Sequence, residues 1–398
     1  MDVPIPPERT AATGALVRAA EAVRLRRAPA VAAIALAALV AAACSDAPEG
    51  SGARPILFGP EGNRLNAYDV ASLARQTVIP SAADDPVHGR DINGQICFAP
   101  DGGRLFIAGE DTGQPVEPAG WGVFELRGSE VGSLSAVQVG KLNLTFQPSR
   151  PAGDPYGCGF LSDGRLVTTD IGPDAAGPAG GQLAIWFPPF DGVGGTFCKL
   201  DVAIGTAGAI YVDAEDRVYV ASTRVEPGIY RYTGPFPTSD DAAGGCGRRD
   251  ATGAPLADSV NRERFIPADE NLPTPAALVA SRYDTYYVSS VINGVIAEYD
   301  AAGRFLRRIL EPPAGEVLGP DSYSTGTPFG LAIADDGTLF YADLGIVLDG
   351  SGIGPGRGKG TERQIRFDDP REGLPVAEPP RTIDSGLNFP DGLGIFPR

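Results

Sequence analysis

Five times along the chain an apolar run stops at a turn carrying Asp or Gly and restarts as a second apolar run. The paired runs are residues 96–101 with 104–108, 158–164 with 165–169, 209–216 with 217–221, 277–284 with 285–289, and 330–337 with 338–342. A sixth copy begins at residues 391–396, where the sequence stops. Alternation such as Arg-Val-Tyr-Val-Ala at 217–221 predicts strands with a packed face, and the turns between them predict hairpins. A third strand rich in aromatic and β-branched residues follows each hairpin, at 122–126, 182–187, 228–232, 294–299 and 363–367. A shorter fourth follows, clearest at 305–309 and again at 382–383. The turn aspartates Asp101, Asp163, Asp216, Asp284 and Asp336 stand 62, 53, 68 and 52 residues apart. That spacing suits a four-stranded unit carrying loop insertions.

The repeat predicts an all-β fold, a six-bladed β-propeller. Residues 55–58, 64–70 and 76–79 supply three strands with no innermost strand before them, and residues 391–396 supply the missing one. N-terminal strands pairing with the C-terminal strand would close the ring and leave no inner edge unpaired. A seven-bladed ring with one degenerate blade and an open sandwich are the alternatives, and the regular two-hairpin unit disfavours the sandwich. Two stretches exceed ordinary links, near 233–262 and 346–360. In the second, Lys359 invites comparison with a phosphate-binding loop. Ile353 stands where that motif needs Gly and Gly360 where it needs Ser or Thr, so a flexible surface loop is expected.

Composition changes the picture at the N-terminus. Residues 28–43 are apolar and follow Arg24, Arg26 and Arg27, a stretch too short for the roughly 20 residues of a membrane span but polarised like a secretory signal. With Cys44 directly after three alanines, the segment resembles a bacterial lipoprotein signal, which implies lipidation of Cys44 and attachment to a membrane. Ala41 stands where that signal usually has Leu, so ordinary cleavage or an uncleaved anchor stays open. The expected division is a targeting segment at 1–43, a linker at 44–53 and one propeller at 54–398, outside the cytoplasm and monomeric. Without residues 1–43 the chain has 28 basic and 47 acidic side chains, a formal charge of −19. Such a balance argues against nucleic acid as a partner. Cys97, Cys158, Cys198 and Cys246 allow three pairings. Cys97 with Cys158 is preferred, from matching places in neighbouring repeats, and then Cys198 with Cys246; buried free thiols are the alternative.

In a ring of this kind the start of each innermost strand and the end of each second strand share one face. The starts bring His88, Asp91, Asn93, Asp154, Asn388 and Asp391 there, and the ends bring Glu110, Asp111, Asp170, Ser222, Ser290 and Asp343. Converging carboxylates repel unless neutralised, and Ca²⁺ accepts mixed oxygen ligands. Glu110, Asp170, Asp343 and Asn388 are therefore the candidate metal ligands, against the alternative that they only cap loops. A lone histidine disfavours a transition metal.

Residues 327–345, 388–395 and 156–170 resemble the SMP-30/gluconolactonase-like, NHL-repeat and TolB-like six-bladed propellers. The lactonase resemblance implies one divalent metal held by Glu, Asn and Asp at the channel mouth. Asp343 matches that family's Asp, while Glu110 and Asn388 match in shifted register. The implied activity is metal-dependent hydrolysis of a lactone or ester, with Asp343, Asp170 or His88 as the base that activates water. Arg90 would anchor an acidic substrate, with a salt bridge as the alternative role. Asp391, Tyr156 and Phe329 would line the substrate site, or the two rings would pack between blades. The other class of function is a non-catalytic propeller that binds a carbohydrate, a peptide or an envelope protein, a choice that fold does not make.

Overall fold

The computed structural model describes residues 55–100, 104–110, 120–143, 155–171, 180–368 and 374–396. Cys44, the targeting segment, Asp101, Asp111 and Asp154 lie outside the described residues. The described residues form strands and no helix, and six sheets of four to six strands follow one another around a ring. Blade 1 takes Gly394–Phe396 as its innermost strand and adds Ile56–Glu61, Arg64–Asp69 and Arg75–Ile79. Its closing ladder is antiparallel, with Ile56 opposite Phe396, Leu57 opposite Ile395 and Phe58 opposite Gly394. Blade 2 runs outward from Ile92–Phe98 through Leu105–Glu110 and Gly120–Arg127 to Ser135–Asn143. Blades 3 to 6 begin at Pro155–Phe160, Ala207–Val212, Pro275–Ala280 and Pro328–Ile333.

Period-two alternation gives every blade two apolar faces, and each face is buried against the next blade. The core is accordingly six clusters, one per seam. Phe58, Phe106 and Phe396 fill the seam between blades 1 and 2. Trp121 and Trp186 meet edge to face between blades 2 and 3, 6.0 Å apart. The seam between blades 6 and 1 is leaner, with Leu57, Phe340 and Leu393 beside Ala332, Ala334 and Ala342. A disulfide joins Cys97 of blade 2 to Cys158 of blade 3, and another joins Cys198 to Cys246.

Three stretches differ from the sequence expectation. Blade 2 begins at Ile92 rather than 96 because the polar Gln95 is satisfied across the channel, donating to the Ile210 carbonyl at 2.7 Å. Residues 346–360 are not a bare loop, since Ile346–Asp349 and Gly352–Pro355 pair as a hairpin that buries Val347. Within 233–262, Pro255–Leu256 and Arg248–Arg249 add to the outer edge of blade 3. That addition is held by the Cys198–Cys246 disulfide and by a buried ion pair from Lys199 to Asp250. Burial alone would raise the Asp250 carboxyl, but hydrogen bonds from Lys199 and Thr252 outweigh it and hold the group at about 2.

The closing ladder predicts a large effect from one small change. Phe396 is buried, with its ring 5.1 Å from that of Phe98. Phe396→Ala should cost about 3 kcal/mol of unfolding free energy in a denaturant titration. Exposed Val376→Ala, on the rim, should leave the midpoint unchanged. Equal effects of the two would contradict the closure.

Candidate functional site

The central channel is narrow and filled. Innermost strands approach so closely that a Cβ on Gly392 would lie 1.8 Å from the Gly94 carbonyl oxygen. Tyr156 of blade 3 reaches across to Phe329 of the opposite blade 6, edge to face with ring centroids 5.2 Å apart. Its hydroxyl donates to the Asp391 carbonyl oxygen at 2.7 Å. Tyr156, Phe329 and Asp391, expected at a substrate, are thus brought together, but as a plug in which Tyr156 is buried. Phe329 is half-buried in the same place.

One end of every second strand carries a buried polar side chain: Glu61, Glu110, Asp170, Ser222, Ser290 and Asp343. In blades 5 and 6 the reason is local. Ser290 Oγ accepts the Thr274 N–H at 3.2 Å, and Asp343 Oδ1 accepts the Thr327 N–H at 2.7 Å. Each pins the backbone just ahead of its own innermost strand, where Pro275 and Pro328 follow. Asp343 Oδ1 also accepts from Gly345 N–H at 2.9 Å, and Oδ2 from the Thr361 hydroxyl at 3.0 Å. Arg363 stands 3.7 Å from Oδ2. These donors occupy the carboxylate that was expected as metal ligand and base.

The other expected site residues are spread over the ring. Asp170 ends the equivalent strand of blade 3, opposite Pro155 and Gln182. Asn388 is exposed past the outer strand of blade 6, where its Oδ1 accepts the Gly358 N–H at 3.0 Å. His88 is largely exposed and stands 3.4 Å from Asp85. Ca²⁺ needs six to eight oxygens around one point. Among the described residues no three His, Cys, Asp or Glu side chains gather as a metal requires. Of the four expected ligands, Asp343 is engaged by backbone and hydroxyl donors, Glu110 by Lys141 and Gln138, and Asn388 is exposed.

Glu110 departs from the capping pattern. Opposite Ile92 in its blade, Glu110 is engaged by side chains, and its longer side chain turns outward. There it meets Lys141 at 2.8 Å, Gln138 at 3.0 Å and Arg90 at 3.8 Å. Gln138 and Lys141 lie three apart, which in a regular strand would place them on opposite faces. An irregularity in register, with Val123 opposite Gly140 but Phe124 opposite Gln138, inserts Val139 and turns both toward the carboxylate. Gly122 makes room, since a Cβ there would lie 2.9 Å from Glu110 Oε1.

Beside this cluster opens a cavity of about 350 Å³ lined by Arg90, Gln138, Lys141, Asn143 and Val193. Among the described residues it holds two cations, Arg90 and Lys141, beside the carboxylate of Glu110, in a chain whose formal charge is −17. Asn143 Oδ1 is buried without a hydrogen-bond partner, and Val193 is 83% exposed on a segment that pairs in parallel with Lys141–Leu142. Such a pocket can neutralise a carboxylate, bond hydroxyls through two amides and cover an apolar edge. Sequence reading reached Arg90 and Glu110 but missed Lys141, Gln138 and Asn143. The rarity of lysine, three in the chain, was the one signal pointing to Lys141.

No model of a known protein family matches this chain, and no curated protein does. Among solved structures it is similar to one from a nidogen/laminin complex, at 12% identity and TM-score 0.49, over 86% of this chain and 98% of the other. It is similar to the calcium-binding protein regucalcin from Agrobacterium tumefaciens at 17% identity and TM-score 0.43, over 71% of this chain and 75% of that one. Virginiamycin B lyase from Staphylococcus aureus gives 9% and 0.42, over 80% and 78%. At these identities no residue role passes to the present chain.

The capping role of Asp343 has a measurable consequence. Asp343→Ala orphans buried N–H groups of Thr327 and Gly345 and should cost about 3 kcal/mol in chemical denaturation, with or without added calcium. A variant as stable as the parent in calcium-free buffer, but deprived of a calcium-induced rise in Tm, would identify a metal ligand instead.

Proposed function

We propose that this chain is a ligand-binding propeller that takes a small acidic saccharide or similar polyhydroxy acid in the blade 2 cavity. The observation that carries the reading is the placing of Arg90 and Lys141 around one cavity beside a single buried carboxylate. Arg90 offers a planar fork to a carboxylate. Lys141, held by Glu110, adds a fixed second charge, while Gln138 and Asn143 suit hydroxyl groups. Location outside the cytoplasm, with attachment through Cys44, belongs to the same proposal; two disulfides in one chain support it.

Hydrolysis of a lactone or ester through a bound divalent metal is the second reading. Its support is the resemblance of residues 327–345 and 388–395 to lactonase-like propellers, and against it stands the dispersal of the four nominated ligands. Titration calorimetry on the mature protein separates the two. Glucuronate should bind, its methyl ester and glucose at least about tenfold more weakly, and Arg90→Gln should cost a similar factor, about 1.4 kcal/mol. Binding should weaken as salt rises. Glucose binding as tightly as glucuronate, or no heat from either, would refute the acidic-ligand reading. Calcium-dependent turnover of a lactone panel, lost in Asp343→Asn, would favour the hydrolase.

A further inference from the structure

The seam that closes the ring contains a carboxylic acid with no visible partner. Glu362 lies on the third strand of blade 6, Gly360–Ile365, between Ala342 and Asp384 on the flanking strands. Its side chain is fully buried, and neither oxygen has a hydrogen-bond partner. Oε1 presses on blade 1 so closely that a Cβ on Gly59 would come within 2.2 Å of it. Gln364, two residues along the same face, is buried with its Oε1 unpartnered too. Around it the seam packs Leu57, Tyr68, Phe340, Ile383 and Leu393 beside three alanines.

The charged and titratable groups facing Glu362 come from every neighbouring element. Asp384, on the outer strand of blade 6, pairs with Arg75 of blade 1 at 2.8 Å. Asp391, on the link into the closing strand, accepts the Gly94 N–H at 3.2 Å. Glu61 of blade 1 accepts from Asn66 at 3.3 Å. Tyr68 of blade 1 is buried, and burial, with the Glu362 and Asp384 charges, holds its hydroxyl protonated far above the usual tyrosine range. None of these groups donates a hydrogen bond to Glu362 or offsets its charge at contact distance.

The geometry points to Glu362 as a protonation latch on the ring closure: the seam between blades 6 and 1 shuts with this carboxyl neutral and loosens when it ionises. A neutral acid can lie against the Gly59 backbone at modest cost, whereas an ionised one, stripped of water and facing three other carboxylates, cannot. Burial, followed by the charges of Asp384, Asp391 and Glu61, raises the Glu362 carboxyl well above its ordinary value. A raised value in the folded state means that the folded chain holds a proton the unfolded chain has released. The stabilisation is therefore complete below the ordinary glutamate range and is lost as pH climbs through the raised value.

Thermal unfolding of the mature protein and of Glu362→Gln from pH 5 to pH 9 tests this. The two should melt alike near pH 5, and the variant should melt higher by roughly 5 °C near pH 8. Hydrogen exchange read by mass spectrometry should show peptides covering 56–61 and 394–396 better protected in the variant at pH 8, with blade 4 peptides unchanged. Should Gln not fold, Glu362→Leu carries the same expectation. Parallel pH profiles for parent and variant would overturn the latch. So would calcium raising the parent's Tm at pH 8 while leaving the variant's unmoved, since a cation would then be matching the charge.

Discussion

The ring depends on a ladder of three residue pairs. Ile56, Leu57 and Phe58 meet Phe396, Ile395 and Gly394, and so join segments more than three hundred residues apart in sequence. Bringing such distant segments together costs on the order of 5 kcal/mol in chain entropy before any contact forms. The ladder alone cannot supply that. Phe396 does most of it by entering the seam with blade 2, among Phe58, Phe98 and Phe106. The other side of blade 1 is mixed in character: Leu57, Phe340 and Leu393 pack there beside three alanines, a buried acid and two buried amides. Closure is thus firm on one flank of blade 1 and conditional on the other.

The same tight ring decides where a ligand can go. Glycines let the innermost strands close in, and Tyr156, Phe329 and Gln95 fill what is left of the channel. In blades 5 and 6 the polar residues at the strand ends are then spent on backbone N–H groups, most completely at Asp343. At Glu110 a longer side chain turns its charge toward Lys141 and Arg90, and beside it lies a cavity with two cations. The capping ring and the pocket are two outcomes of one repeated position.

What the sequence discloses follows from the range of the physics. Period-two alternation and Asp/Gly turns are local, so Ile96, Tyr219 or Phe340 reveal their strands without reference to anything distant. The unmatched run at 391–396 made the closure legible as well. Lys141 was hidden because its direction depends on one inserted residue, Val139, whose effect exists only in the pairing with Val123 and Phe124. Glu362 was hidden for a related reason. In the run Gly-Thr-Glu-Arg-Gln-Ile it reads as an ordinary exposed charge, and only the blade across the seam buries it. The donors that surround Asp343, from Thr327, Gly345 and Thr361, were equally out of reach, since they come from separate stretches of the chain.

A crystal structure of the mature protein grown with both calcium and glucuronate puts the account to its most direct test. A carboxylate should be bound at Arg90 and Lys141 in the blade 2 cavity, with Asp343 still bonded to Thr327 and Gly345. A calcium ion coordinated jointly by Asp343, Asp170 and Glu110, with the blade 2 cavity empty, would contradict it.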